Sequence, residues 1–317
     1  MPQSIITKAT DLVTSREETR AGFISMALEK NYIAVPYVEE AKALKALASR
    51  VFKPIELLEV EDLRVGLLTA SGLSDKALNY LTEEDKVIAI KGLIEEFLEP
   101  AGDKFIDELV YRYLLIKGDA LGGKARNLAG SLGERKFLRS LLSVLNLAGI
   151  EYIWLDSESS NWFNSGKKVE GIEKRIKAIY WLRKSKNRLL ILNTNVPLIK
   201  KNVDFILLNG KIEDIKTGKE SIIHIPEKYL ALGELKGGID PAGADEHWKT
   251  ANSALERIRN AFTEKELKPF TFFVGAAIEN SMADEIFEQL NNGTLGNAAN
   301  LTNDEQLTAT CNWISNL

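Results

Sequence analysis

After residue 149 the chain changes texture, and that change limits its fold more than any other feature. Five short runs rich in strand formers appear: 150–155, 189–192, 203–208, 229–232 and 270–274. Each is too short to be an amphipathic helix and reads as a buried strand. Helical patterns at 244–262, 280–291 and 303–315 interrupt or follow them. Strands mixed with helices in this way predict an α/β unit around a mixed central sheet. The segment before it reads differently. Ser15-Arg-Glu-Glu has the form of a capping box ahead of 22–30, and 37–51 carries apolar residues at helical spacing. Thr82-Glu-Glu-Asp caps 86–98, which Pro100 ends. Helices at 104–117 and about 123–147 complete the series. A chain of 317 residues holds one large domain or two ordinary ones. The expected division is a helical domain over 1–100 and an α/β domain over 101–317.

The run at 229–232 leads into Gly233-Glu-Leu-Lys-Gly-Gly238. On a strand, residues i and i+2 share a face. Glu234 and Lys236 therefore project together, an acid to hold a hard cation and a lysine to steady a developing negative charge. The tripeptide alone carries little weight, because the same acid-x-lysine spacing begins at Glu40, Glu84, Glu134, Asp214 and Glu266. Only Glu234 ends an apolar strand, and only Lys236 precedes two glycines, which let a backbone pass close to a ligand. A second carboxylate is needed upstream. Asp204 sits near the head of an apolar strand, where a charge is costly unless it is used. The alternative reading of Asp204 is a strand-end acid that accepts backbone amides, with Asp214, in a turn-like stretch, held in reserve as the metal ligand. His247, thirteen positions past Glu234 near a helix start, is placed to take a proton from an attacking water; a plain surface histidine is the rival reading. His224 lies in Ser221-Ile-Ile-His-Ile-Pro226, which alternates like a strand and reads as structural.

Charge adds a second line. The net charge of −4 argues weakly against a nucleic-acid protein. Residues 164–211, however, hold twelve bases against three acids. That stretch reads either as a solvated basic face or as a phosphate-tracking surface. Gly118-Asp-Ala-Leu-Gly-Gly-Lys-Ala-Arg-Asn127 lacks the spacing of a P-loop. Two glycines ahead of Lys124, Arg126 and Asn127 at a helix start suit a phosphate; a tight interhelical turn is the alternative. The lone cysteine, Cys311, cannot form an internal disulfide, which suits a reducing cytoplasm. No apolar stretch is long enough to span a bilayer, so no membrane association is expected.

The block 233–259, GELKGGIDPAGADEHWKTANSALERIR, resembles the AvaI/BsoBI group of type II restriction endonucleases, and the likeness extends along most of the chain, including GLSDKALNYL and KGDALGGKARNLAG. The resemblance implies a restriction-endonuclease α/β core with an added helical domain, acting as a homodimer that encircles double-stranded DNA. It implies Mg2+-dependent cleavage of the degenerate palindrome CYCGRG after the first C, leaving four-base 5′ overhangs. Glu234 and Lys236 match the catalytic strand of that group, His247 an active-site histidine, and Asp204 the place of the first metal-binding acid. Asp240 and Lys76 match positions that read bases; an acid accepts from cytosine N4 and lysine donates to guanine. Competing readings are a repair or recombination nuclease on the same core, a non-catalytic DNA-binding protein, and a helical interaction protein.

Overall fold

The computed structural model describes residues 5–125, 127–166 and 171–317. Contacts divide the chain into two compact units, a helical one over Ile24–Leu128 and an α/β one formed by Met1–Phe23 with Ala129–Leu317.

The helical unit contains most of α1 (Arg16–Ala48), then α2 (Arg64–Ala70), α3 (Asp75–Leu78), α4 (Glu83–Leu93) and α5 (Phe105–Ala125). The two capping boxes expected from sequence form. Glu18 and Ser15 exchange hydrogen bonds at the start of α1, and Thr82 and Asp85 do so at the start of α4. Tyr37 does not open a helix of its own, because α1 runs straight through Pro36. Pro36 is exposed, so water can serve the carbonyl that its missing N–H leaves unpaired. Ala41, Leu44 and Ala48 of α1 meet Leu67, Ile90, Leu93 and the α5 residues Phe105, Leu109 and Tyr113 in one core. Those α5 residues carry the helical unit past residue 100. The glycine string at 118–123 lies inside α5 instead of forming an interhelical turn. Cβ atoms at Gly118, Gly122 and Gly123 would meet nothing within 4 Å, so these glycines sit on an open helix face. Lys124 thus lies in the last turn of α5, not at a helix start.

The α/β unit begins with α6 (Leu128–Leu147), then β1 (Tyr152–Asp156), β2 (Trp162–Asn164), β3 (Ile176–Arg183), β4 (Lys186–Val196), β5 (Lys201–Leu208) and β6 (Tyr229–Lys236). α7 (Ala244–Thr263), β7 (Phe270–Gly275), α8 (Asn280–Asn291), β8 (Asn297–Asn300) and α9 (Asp304–Asn316) follow. The eight strands form one sheet in the order β2-β1-β3-β4-β5-β6-β7-β8. It is antiparallel from β2 to β6 and parallel from β6 to β8, as the helix between β6 and β7 requires. The five expected strands are present, and β2, β3 and β8 join them. Ser221–Pro226 is not a strand: Ile222–His224 and Pro226–Lys228 are successive 3-10 turns, with the ring of Pro226 fixing the second.

Both faces of the sheet are covered. Trp248, Ala251, Leu255, Ile258 and Phe262 of α7 pack with Met282 and Ile286 of α8 against Ile206, Leu208 and Leu232. On the other face Phe137 of α6 stacks on Phe205 and Phe272, and Trp313 of α9 meets Phe272 edge-on. This sandwich pins β5 and β6 between two helical layers and fixes where their ends lie.

Candidate active site

The β5–β6 ladder pairs Phe205 with Gly233 and goes no further toward the start of β5. One step on, Asp204 and Glu234 face one another across two parting strands. The Asp204 side chain fills the gap, its Oδ2 accepting the Leu235 N–H at 2.7 Å. Glycine at 233 is a packing requirement, since a Cβ there would lie 2.2 Å from the Phe272 ring. Lys236, on the same face as Glu234, donates to Glu234 Oε2 at 3.2 Å. Glu234 is 5% exposed. Burial, and then the charge of Asp204, push its carboxyl up to about 7, against the pull of Lys236. Burial also raises Asp204, opposed by the Leu235 N–H and Lys236. Two acids held this close in a poorly solvated place keep a proton unless a cation joins them.

The glycines after Lys236 serve the fold. A Cβ at Gly237 would fall 2.2 Å from the carbonyl oxygen of Ala129, in the first turn of α6. A Cβ at Gly238 would fall 2.7 Å from Cε1 of His247. The pair therefore brings the end of β6 against α6 on one side and against His247 on the other. His247 Nδ1 is buried without a hydrogen-bond partner among the described residues. His247 lies beside Gly238, two residues past Lys236, and makes no hydrogen bond to Asp204, Glu234 or Lys236. Asp240 is exposed and caps the turn Pro241–Gly243, accepting the Ala242 N–H at 3.0 Å.

The remaining sequence candidates fall elsewhere. Asp214 accepts the Lys211 N–H at 2.8 Å and closes its own turn, so Asp204 is the acid beside Glu234. His224 is exposed on a 3-10 turn. Lys76 is exposed on α3, whose start is capped by Ser74. Asn127 is exposed just ahead of α6; Arg126 lies outside the described residues, as does the Lys124 side chain. The basic segment is not one face. Arg175 is tied to the buried Asp156, Lys177 to backbone carbonyls, Arg183 to Asn316, and Arg188 is buried. Lys184 and Lys186 stand at one end of β4 and Lys200 and Lys201 at the other. Lys167 and Lys168 lie outside the described residues.

One acid at the site escaped the sequence reading. Glu134 of α6, which has the acid-x-lysine spacing on a helix, accepts a hydrogen bond from the Asn193 side chain of β4. Burial raises its carboxyl, and so does the negative charge of Asp204. Its acid-x-lysine spacing recurs along the chain and does not single it out; its place depends on how α6 packs on the sheet.

Comparison with known proteins identifies the family. The family model described as Restriction endonuclease BsobI matches residues 3–317. The chain is 54% identical over 307 residues to type II restriction enzyme AvaI of Nostoc sp., covering 97% of this chain and 96% of that one. The same figures hold for type II restriction enzyme AvaI of Anabaena variabilis. It is 54% identical over 310 residues to type II restriction enzyme BsoBI of Geobacillus stearothermophilus, covering 97% of this chain and 95% of that one.

Proposed function

The chain belongs to the BsobI family of type II restriction endonucleases, and we propose that it hydrolyses both strands of DNA at CYCGRG, after the first C, with Mg2+ held by Asp204 and Glu234. The observation that carries the reading is the face-to-face placement of the partly buried Asp204 and the buried Glu234, with Lys236 bonded to Glu234. Their donor set fits the ion. The two carboxylates would supply the hard oxygen that Mg2+ prefers. When bound, Mg2+ would neutralise phosphate charge and make a water acidic enough to attack.

The chain's own residues do the rest. Asp204 stays oriented through the Leu235 N–H on Oδ2, which leaves Oδ1 for the cation. Lys236 leaves Glu234 for a phosphate oxygen and stabilises the charge that builds there. Lys236 or His247 accepts the proton of the attacking water. Asp240, whose exposed carboxylate has a second oxygen free, accepts from a cytosine N4, and Lys76 donates to guanine. Lys124, Arg126 and Asn127 hold backbone phosphates. In this division of labour the helical unit, assigned to 1–100 from sequence and found over Ile24–Leu128, supplies DNA contacts, and the α/β unit cuts. A homodimer places one site on each strand of the palindrome, since two-fold symmetry in the protein mirrors two-fold symmetry in the DNA. Among the described residues no helix is long and apolar enough to cross a membrane, in keeping with an enzyme acting in the cytoplasm.

Incubation of the purified protein with a sequenced plasmid and Mg2+ tests the reading. Discrete fragments that end in four-base 5′ overhangs at CYCGRG support it. Intact plasmid, or a ladder unrelated to that site, rules it out.

A further inference from the structure

Asn193 has a backbone that strands ordinarily exclude. It lies inside β4, yet its φ is +46°. That left-handed conformation disfavours side chains, asparagine being among the few that tolerate it. On either side the ladder is regular, with Leu192 paired to Phe205 and Thr194 to Val203. Asn193 thus stands opposite Asp204, as Asp204 stands opposite Glu234. The three form a row across β4, β5 and β6.

The turned backbone is used on both sides. Lys177 of β3 donates from Nζ to the carbonyls of Leu192, at 2.6 Å, and Asn193, at 3.0 Å. The Asn193 side chain donates from Nδ2 to Glu134 Oε2. Glycine would permit the backbone but could not hold Glu134, and alanine would do neither. Among the described residues no three acids converge closely enough to hold a metal together. Glu134 is therefore an outer carboxylate, beside the Asp204–Glu234 pair.

We propose that Asn193, braced by Lys177 and bonded to Glu134, is a positioning residue that sets the divalent-cation affinity of the Asp204–Glu234 pair. This rests on the reading of that pair as the cation site. Fixed in place, Glu134 adds negative charge beside the pair without competing for the cation. Freed, it turns toward solvent and the row of acids loses its outer member. Partners in such an outer shell typically change cation affinity by about 10–100-fold.

The test is the Ca2+ dependence of duplex binding by the full-length protein, followed by fluorescence anisotropy on a CYCGRG duplex, since binding is read without cleavage. Asn193→Gly keeps the backbone, and Glu134→Gln keeps a partner for Asn193 while removing the charge. Both should raise the Ca2+ midpoint about tenfold. Binding without Ca2+ should not weaken, and the melting temperature should stay within about 2 °C. Should Asn193→Gly fail to fold, Glu134→Gln alone decides. An unchanged midpoint overturns the proposal. So does a shifted midpoint accompanied by an equal loss of Ca2+-free binding and of melting temperature, which marks a merely structural role. Glu234→Ala separates the two levels. If it shifts the midpoint and the Asn193 and Glu134 variants do not, only the positioning proposal fails. If it shifts nothing, the cation site itself is misassigned and the proposal fails with it.

Discussion

Asp204 and Glu234 face each other one step beyond the last paired residues of β5 and β6, and the Asp204 carboxylate holds the Leu235 N–H at 2.7 Å. The strands part where the two acids stand, so the Asp204 carboxylate is held by the Leu235 backbone and the buried Glu234 carboxylate by the Lys236 side chain. Each strand is clamped by helices on both faces, which gives the pair little freedom to move apart as their charges repel.

The protonation of Glu234 makes metal-free stability depend on pH. Its folded carboxyl is pushed up to about 7, above the ordinary value of 4.5, by burial and by Asp204. A group with a raised folded pKa contributes stability that is full below its unfolded pKa and is lost as pH rises through the folded one. Metal-free melting should therefore decline from pH 4.5 toward about 7. Glu234→Gln should flatten that decline, and an identical slope in wild type and variant would contradict the cause given. Apparent Mg2+ affinity should rise through the same window, because the cation takes the ionised pair.

Lys236→Ala should slow single-turnover cleavage by about 10²–10³-fold, the usual cost of one aligned donor at a developing negative charge. Duplex binding in Ca2+ should weaken far less. Equal losses in binding and cleavage would mean that the lysine serves attachment alone.

The two glycines after Lys236 should respond differently to alanine. At 237 the new Cβ would strike the backbone carbonyl of Ala129, which cannot step aside without moving α6. Gly237→Ala should cost about 1–3 kcal/mol of stability, as overpacking does. At 238 the obstacle is the His247 side chain, which can rotate. Gly238→Ala should unfold at nearly the wild-type denaturant midpoint while cutting more slowly. A larger stability loss at 238 than at 237 would contradict this packing.

The two histidines offer an internal control. His224 is exposed on a turn, and His224→Ala should stay within about 0.5 kcal/mol of wild-type stability, as surface changes generally do, with its cleavage rate intact. His247→Ala should lower the single-turnover rate and alter its dependence on pH. A silent His247→Ala would leave Lys236 as the acceptor of the water's proton.

Much of this was legible in the sequence because burial leaves a pattern. Val203–Leu208 and Tyr229–Leu232 stand out as apolar runs, and Asp204 and Glu234 stand out as charges within or against them. β3 was hidden by Lys177 and Arg183, whose charges drew attention away from Ile176, Ala178, Ile179 and Trp181, all buried. β8, Asn297–Asn300, has no strand propensity and extends only because β7 pairs with it. Ser221–Pro226 alternates like a strand but turns. The basic excess over 164–211 promised a surface, yet the sheet sends its charges to opposite ends of β4 and into internal bonds. Gly237 and Gly238 were read as making way for a ligand, and what they make way for is α6 and a histidine ring. Glu134 and Asn193 were out of reach, since one depends on helix packing and the other on a backbone angle.

The assignment of the Asp204–Glu234 pair is tested most directly by Glu234→Ala on a CYCGRG duplex, with binding measured in Ca2+ and cleavage in Mg2+ on the same preparation. The expected result is a protein that still binds the duplex at saturating Ca2+ and leaves both strands intact in Mg2+. Cleavage at the wild-type rate by that variant would contradict the assignment.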